Sequence, residues 1–377
     1  MSVTVCLYAK TLYYPTGGGH LWVYLNWALG LRALGCQVIW LEAVFPWTTA
    51  PEVQALATAL KNNLEPYGLA ESVALCSTVD QPLPGTVESD CLDLEAATEA
   101  DLLLNMSYGM PSDVVKRFRR AVLVDIDPGL LQTWISARTL EVAPHNMYFT
   151  IGETVGKPGT QIPDLGLEWH YTPPCVALDW WPVYHPQEDA PFTTVSHWSA
   201  YEWMEDKGEV YANDKRTAFL PFLNLPQHTN QALELALCLA EHEQNERTML
   251  RERGWRVRHS LEVSSTPQDY QRYIQNSRGE FSCVKPSCIR LQNAWISDRT
   301  ICYLASGKPV VVQNTGPSQF LPDSAGLFRF NDLEQASRCL EKIAADYEQQ
   351  CHLARALAEK YFDAQKVTGR LLEKVLI

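Results

Sequence analysis

The sequence predicts an α/β protein of two doubly wound domains facing a cleft. Three observations predict it. The chain has 377 residues, more than one hydrophobic core usually organises, since cores stop growing at roughly 250–300 residues. Short apolar runs rich in β-branched residues alternate with longer runs of helical spacing, the pattern of parallel strands linked by crossover helices. A Pro- and Trp-rich stretch at 156–190 interrupts that alternation and divides it into two series.

The first series opens with a strand at 3–9. A turn cluster, Tyr13 to Gly19, follows it. A helix spans 20–34 with Leu21, Tyr24, Leu25, Ala28 and Leu31 on one side, and Gly35 suits its stop. A second strand lies at 37–41 and a helix at 51–67. Buried strands are expected at 101–106 and 121–126, with a helix at 111–120 between them. A helix at 130–138 and a strand at 147–151 complete a Rossmann-like domain at 1–155. Residues 156–190 read as the connection between domains. The second series runs from 191 to 377: strand 192–196, helix 227–246, strand 255–259, helix 266–275, strand 280–284, helix 297–306, strand 309–313, strand 326–330, helix 332–346 and a terminal helix or pair of helices at 347–376. These last helices can cross back to the first domain. Ligands of such sheets bind beyond the carboxyl ends of the strands.

Composition excludes several classes. The chain is 46% hydrophobic and 20% charged, too apolar for global disorder. No apolar run reaches the roughly 18 residues of a membrane span, and MSVTVCLYAK lacks the layout of a signal peptide. Eleven irregularly spaced cysteines without CxxC pairs suggest reduced thiols in a cytoplasmic protein, not a disulfide framework or a zinc site. The net charge of −13 disfavours nucleic acid as a partner. Residues 1–180 hold 9 basic and 19 acidic side chains, against 22 and 25 in the rest. The cations therefore lie mainly in the second half.

Three places carry chemistry. Between Lys285 and Lys308 four cations, Lys285, Arg290, Arg299 and Lys308, face one acid, Asp298. A helix opening at Ser297-Asp298-Arg299 offers free N–H groups, so this segment suits a diphosphate. The same residues also fit an ordinary capped helix with Arg299 in solvent. The second place is Gly17-Gly18-Gly19-His20, where three glycines let backbone amides approach a ligand and open a helix whose dipole favours an anion. It also fits a plain βα turn, and it lacks the G-x-G-x-x-G spacing, with Glu42 as a weak ribose ligand. The third is Asp125-Ile126-Asp127-Pro128-Gly129 at a strand end. There a carboxylate can act as a general base, or Asp127 can simply begin a turn. His145, Glu153 and His197 are weaker strand-end candidates. Trp198 and Trp295 are the tryptophans best placed for a cleft.

The run 280–316 resembles the donor-binding region of GT-B glycosyltransferases, in the branch similar to family 4. The resemblance rests on Pro286-Ser287, on Ala305-Ser306-Gly307-Lys308-Pro309-Val310-Val311, on Thr315-Gly316, and on Gly326-Leu327 followed by Asp332, Glu334 and Ala336. The N-terminal half is similar only in layout and in its glycine turn. Where the family carries two glutamates this chain has Ala294 and Cys302, and Asp298 is the residue left to meet a donor hydroxyl. The resemblance implies a hexosyltransferase that takes a nucleoside diphosphate sugar, such as a UDP-sugar, as co-substrate, without a cofactor or metal. Its donor would meet Gly17, Gly18, Gly19, Lys285, Trp295, Ser297, Asp298, Arg299, Thr315 and Gly316. Asp127, His20 and Asp125 are the catalytic candidates. The acceptor is open, a homodimer is an option, and a non-catalytic sugar-nucleotide binding protein or a sugar-nucleotide epimerase is the alternative.

Overall fold

The computed structural model describes residues 2–79, 83, 91–200, 202–206, 208–240, 243–321, 323 and 325–376. It divides into two compact units, Met1–Ala177 with Ala364–Ile377, and Leu178–Asp363. The division falls inside the Pro- and Trp-rich stretch.

The first unit is built on seven parallel strands: β1 (Thr4–Tyr8), β2 (Gln37–Val44), β3 (Val73–Ser77), β4 (Leu102–Asn105), β5 (Ala121–Asp125), β6 (Met147–Thr150) and β7 (Trp169–Tyr171). Their spatial order is β3-β2-β1-β4-β5-β6-β7. The order reverses between β1 and β4, the switch point at which doubly wound sheets bind ligands. β1 and β4 are buried on both faces, which explains their unbroken apolar runs. Helix Gly18–Ala33 follows β1. Helix Ala364–Leu376 packs against it: a Cβ built on Gly30 would stand 2.7 Å from the Ala364 Cβ and 2.8 Å from its carbonyl oxygen.

The second unit repeats the plan with β8 (Phe192–His197), β11 (Leu233–Cys238), β12 (Arg256–His259), β13 (Gly279–Ser282), β14 (Val310–Gln313) and β15 (Leu327–Phe330), while β9 (Trp203–Asp206) and β10 (Glu209–Ala212) form a separate antiparallel hairpin. The parallel order is β12-β11-β8-β13-β14-β15, so its switch point lies between β8 and β13. Its core is strongly aromatic. Phe281 and Phe330 stack at 5.2 Å and 16°, flanked by Phe222 and Trp255.

Two elements differ from expectation. The helix predicted over 227–246 is strand β11 followed by helix Gln244–Glu252. Leu233 to Leu237, Leu-Glu-Leu-Ala-Leu, are good helix formers, but the run lies between β8 and β12 with Leu235, Ala236 and Leu237 fully buried, and tertiary pairing overrides propensity. Between the expected strand 280–284 and helix 297–306 the chain forms a further short helix, Pro286–Leu291. The eleven cysteines are free thiols. No helix among the described residues is long and apolar enough to cross a membrane.

Candidate functional site

In the second unit, the switch point gathers cationic side chains. Arg299, in the first turn of helix Asp298–Ala305, donates from Nε to Glu280 Oε1 at 2.8 Å and from a terminal nitrogen to the Val195 carbonyl at 2.9 Å. Its side chain is 11% exposed and that of Glu280 is fully buried. Arg299 thereby ties β8 to β13. Lys215, in the short helix Lys215–Phe219, reaches the same edge, with Nζ 2.5 Å from the Cys283 carbonyl just past β13. Burial, and next the Arg299 charge, pull its ammonium down to about 8. Among the described residues no carboxylate lies within ion-pair distance of it. The sequence reading missed Lys215. A signal existed: a lysine in a first turn sits against the helix dipole, behind Asp214, whose carboxylate caps the turn through the Thr217 amide at 2.8 Å.

The other cations of the 285–308 segment meet partners distant in sequence. Lys285 pairs with Glu202 at 2.5 Å, and Arg290 makes a two-pronged pair with Glu209. Lys308 is fully buried and donates to the Tyr184 carbonyl at 2.6 Å.

Trp295, Ser297, Arg299 and Thr315 line one narrow recess of about 20 Å³, together with Ser282 and Val284. Gly316 lines a neighbouring hollow of about 390 Å³ with Gln292, Asn314 and Arg329. The Thr315 hydroxyl donates to the Trp295 carbonyl at 2.7 Å, and the Ala294 amide to the Thr315 carbonyl at 2.9 Å. Gly316 has φ +116°, and a Cβ there would stand 2.9 Å from the Gln292 carbonyl oxygen, so only glycine fits. Among the described residues the buried Trp295 Nε1 has no hydrogen-bond partner. Ser297 caps helix Asp298–Ala305 by accepting from the Arg299 amide at 3.2 Å, and Asp298 stands in the first turn. Cys302 is 1% exposed inside the unit. Trp198 is no surface residue: it is fully buried and donates its indole N–H to Glu246 at 3.1 Å.

In the first unit, the loop after β1 is held from below. The fully buried Glu42 carboxylate accepts from the Thr11 amide at 2.9 Å, the Leu12 amide at 3.1 Å, Trp40 Nε1 at 2.9 Å and the Thr11 hydroxyl. Glu42 is therefore an anchor of the loop. Gly17, Gly18 and Gly19 have ordinary negative φ. A Cβ on Gly17 would lie 3.1 Å from the Tyr14 carbonyl oxygen, so close approach, not left-handed geometry, asks for glycine. Among the described residues, helix Gly18–Ala33 has no side-chain cap hydrogen bond and no acid in its first turn, so its dipole favours an anion at that end. His20 Nε2 lies 2.6 Å from the Lys10 carbonyl, under the Tyr14 ring.

Asp125 ends β5 and Asp127 lies just past it, two strands from the glycine turn with β4 between. Asp125 is fully buried. It accepts from Gln132 Nε2 and the Thr150 hydroxyl at 2.8 Å each, and from the Asp127 amide at 2.9 Å. Burial pushes its carboxyl up to about 6. The Tyr108 hydroxyl bridges the two carboxylates, at 3.3 Å from Asp125 and 3.1 Å from Asp127, while accepting from the Ile126 and Asp127 amides at 3.0 Å. Asp127 also begins the turn, its backbone carbonyl accepting from the Leu130 amide at 3.1 Å. His145 is held between the Ala143 carbonyl on Nδ1, at 2.6 Å, and Asn105 Nδ2 on Nε2, at 3.0 Å. That pair of contacts fixes the neutral ring with its proton on Nδ1, and burial pulls its pKa to about 4. Among the described residues no three His, Cys, Asp or Glu side chains gather as a metal set.

No protein-family model matches the chain, and no curated protein matches it. Solved structures do. A sucrose-phosphate synthase from Thermosynechococcus elongatus aligns over 99% of both chains at 10% identity with a TM-score of 0.56. Anabaena HepE with UDP and glucose aligns over 99% of both at 11% identity and 0.57. An α-glucosyltransferase with UDP and a 13-mer DNA aligns over 100% of both at 10% identity and 0.60. The fold is GT-B. At this identity the likeness speaks for the fold alone, and it extends the resemblance from the 280–316 motif to the whole chain.

Proposed function

We propose that this GT-B chain transfers a hexose from a nucleoside diphosphate sugar to an acceptor hydroxyl. The observation that carries the reading is the Lys215–Arg299 cation pair at the second switch point, beside the recess of Trp295, Ser297 and Thr315. The fold supports it, and UDP is the nucleotide because two of the similar structures hold UDP. In this reaction the bond from the sugar C1 to the diphosphate oxygen breaks and a bond from C1 to the acceptor oxygen forms. The acceptor proton leaves to a base, and the departing diphosphate gathers negative charge. Lys215 is the group free to meet that charge, because Arg299 is already pinned to Glu280. Such preorganised charge is the largest usual source of rate, and it needs no metal. The uncapped Gly17-Gly18-Gly19 helix start is a second anion site. The unpaired Trp295 Nε1–H is a donor for the nucleotide sugar. Of the two aspartates, Asp127 is the better base, since Asp125 is sealed by its donors. The acidity of residues 1–180 favours an acceptor other than nucleic acid.

Calorimetry with UDP and UDP-glucose tests the reading, followed by product analysis without acceptor. Slow release of UDP and glucose marks a transferase. An altered sugar nucleotide marks an epimerase, and binding without turnover marks a binding protein. No binding of either ligand at millimolar concentration would reject all three.

A further inference from the structure

Two loops at the carboxyl edge of the first sheet carry a stack of aromatic rings that the reaction above does not use. Tyr13 lies after β1, and Phe45 and Trp47 lie after β2. The Tyr13 and Phe45 rings are 4.7 Å apart at 33°, and Phe45 and Trp47 are 4.7 Å apart at 9°.

Hydrogen bonds fix this pile. The Phe45 amide donates to the Tyr13 hydroxyl at 2.8 Å, and that hydroxyl lies 2.7 Å from Thr48 Oγ1. The Thr48 amide closes a turn onto the Phe45 carbonyl at 3.0 Å. The Thr49 amide donates to Glu52 at 2.8 Å, where helix Ala50–Leu64 begins. The loop is therefore clamped at both ends.

Its top ring is bare. Trp47 is 73% exposed, although one face of its indole rests on Phe45. A large apolar ring left in water forgoes the favourable burial an aromatic side chain can gain. Held rigid, it loses little further freedom when a flat apolar surface settles on it, the preorganisation that favours binding.

We propose that Trp47 is the acceptor platform and that the acceptor is a neutral saccharide, lying with the C–H face of a pyranose ring on the open face of the indole. The proposal rests on the transfer reading above and names its second substrate. Charge selects this occupant. Residues 1–180 carry 9 basic and 19 acidic side chains, which repel a polyphosphate backbone and are indifferent to a polyol. A few residues along the chain, Thr49 and Glu52 are both exposed, and the Thr49 hydroxyl donates to the Glu52 carboxylate at 2.8 Å.

The test uses the full chain labelled with 5-fluorotryptophan, with the Trp47 resonance identified from Trp47→Phe. The probes are the methyl glycosides of glucose, galactose, mannose and N-acetylglucosamine, maltotriose, and a thymidine oligonucleotide. A saturable shift of the Trp47 resonance with at least one saccharide is expected. Trp47→Ala should weaken that saccharide about tenfold or more, the size expected for truncating an aromatic anchor, with UDP-glucose affinity by calorimetry unchanged. The proposal is overturned if no saccharide moves the resonance, if Trp47→Ala binds saccharide equally well, or if only the oligonucleotide moves it. Loss of UDP-glucose binding with the saccharide shift intact would remove the transfer reading and leave a saccharide site. UDP-glucose binding without any saccharide shift would do the reverse.

Discussion

The Lys215 ammonium lies 2.5 Å from the Cys283 carbonyl oxygen, across the switch point of the second sheet. Among the described residues one neutral carbonyl meets one of its three protons, in a place where burial has already lowered its pKa to about 8. An arriving phosphate would supply the missing counter-charge. Lys215→Met should weaken UDP binding by about tenfold or more, since a hydrogen bond to a charged group contributes roughly 1.5–3 kcal/mol, with the melting temperature held or raised. Calorimetry at pH 7 checks it, and unchanged affinity would remove Lys215 from the donor site.

Arg299 behaves differently, because it is half of a buried pair. Arg299→Met leaves the Glu280 carboxylate buried without its partner, a loss on the order of 3–5 kcal/mol. A melting temperature lower by about 10 °C is expected. The double variant Glu280→Leu with Arg299→Met should recover most of it. If the single variant melts like the parent, the pair is not holding β8 to β13.

Asp125 and His145 make opposite contributions to stability against pH. The Asp125 carboxyl is raised from 3.8 to about 6 by burial, so the stability its proton confers is present below 3.8 and is lost as pH rises to 6. The His145 ring is lowered from 6.5 to about 4, also by burial, so its contribution is present above 6.5 and lost as pH falls to 4. Each is on the order of 2–3 kcal/mol, and between pH 4 and 6 they nearly cancel. Asp125→Asn should therefore show stability rising across that window in urea titrations, and His145→Gln should show it falling. Parallel profiles for both variants would contradict the assignment.

Gly30→Val should loosen the terminal helix, because its Cβ would collide with Ala364. Limited proteolysis should then cut within Ala364–Leu376 under conditions where the parent is resistant. Equal resistance would mean that the contact is slack.

The sheet plan was legible because β1, β4 and β5 are short apolar runs bounded by turn residues. The strand β11 was not, since leucine, alanine and glutamate read as helix until the neighbouring strands are in place. The three-residue β7 and the β9–β10 hairpin carry too little periodicity to detect. In the 285–308 segment, counting charge along the chain marked Lys285, Arg290 and Arg299. It could not show Glu202, Glu209 and Glu280 arriving from elsewhere to meet them. Lys215 lay outside that window, and the fold alone brings it to the same edge.

The terminal helix also sets an order of events. Helix Ala364–Leu376 belongs to the first unit, yet it is translated after every residue of the second. On the ribosome the seven strands of the first sheet can form early, while the buried flank of helix Gly18–Ala33 stays bare until helix Ala364–Leu376 emerges. Chaperone capture and proteolysis of the nascent protein should therefore concentrate on that one uncovered flank.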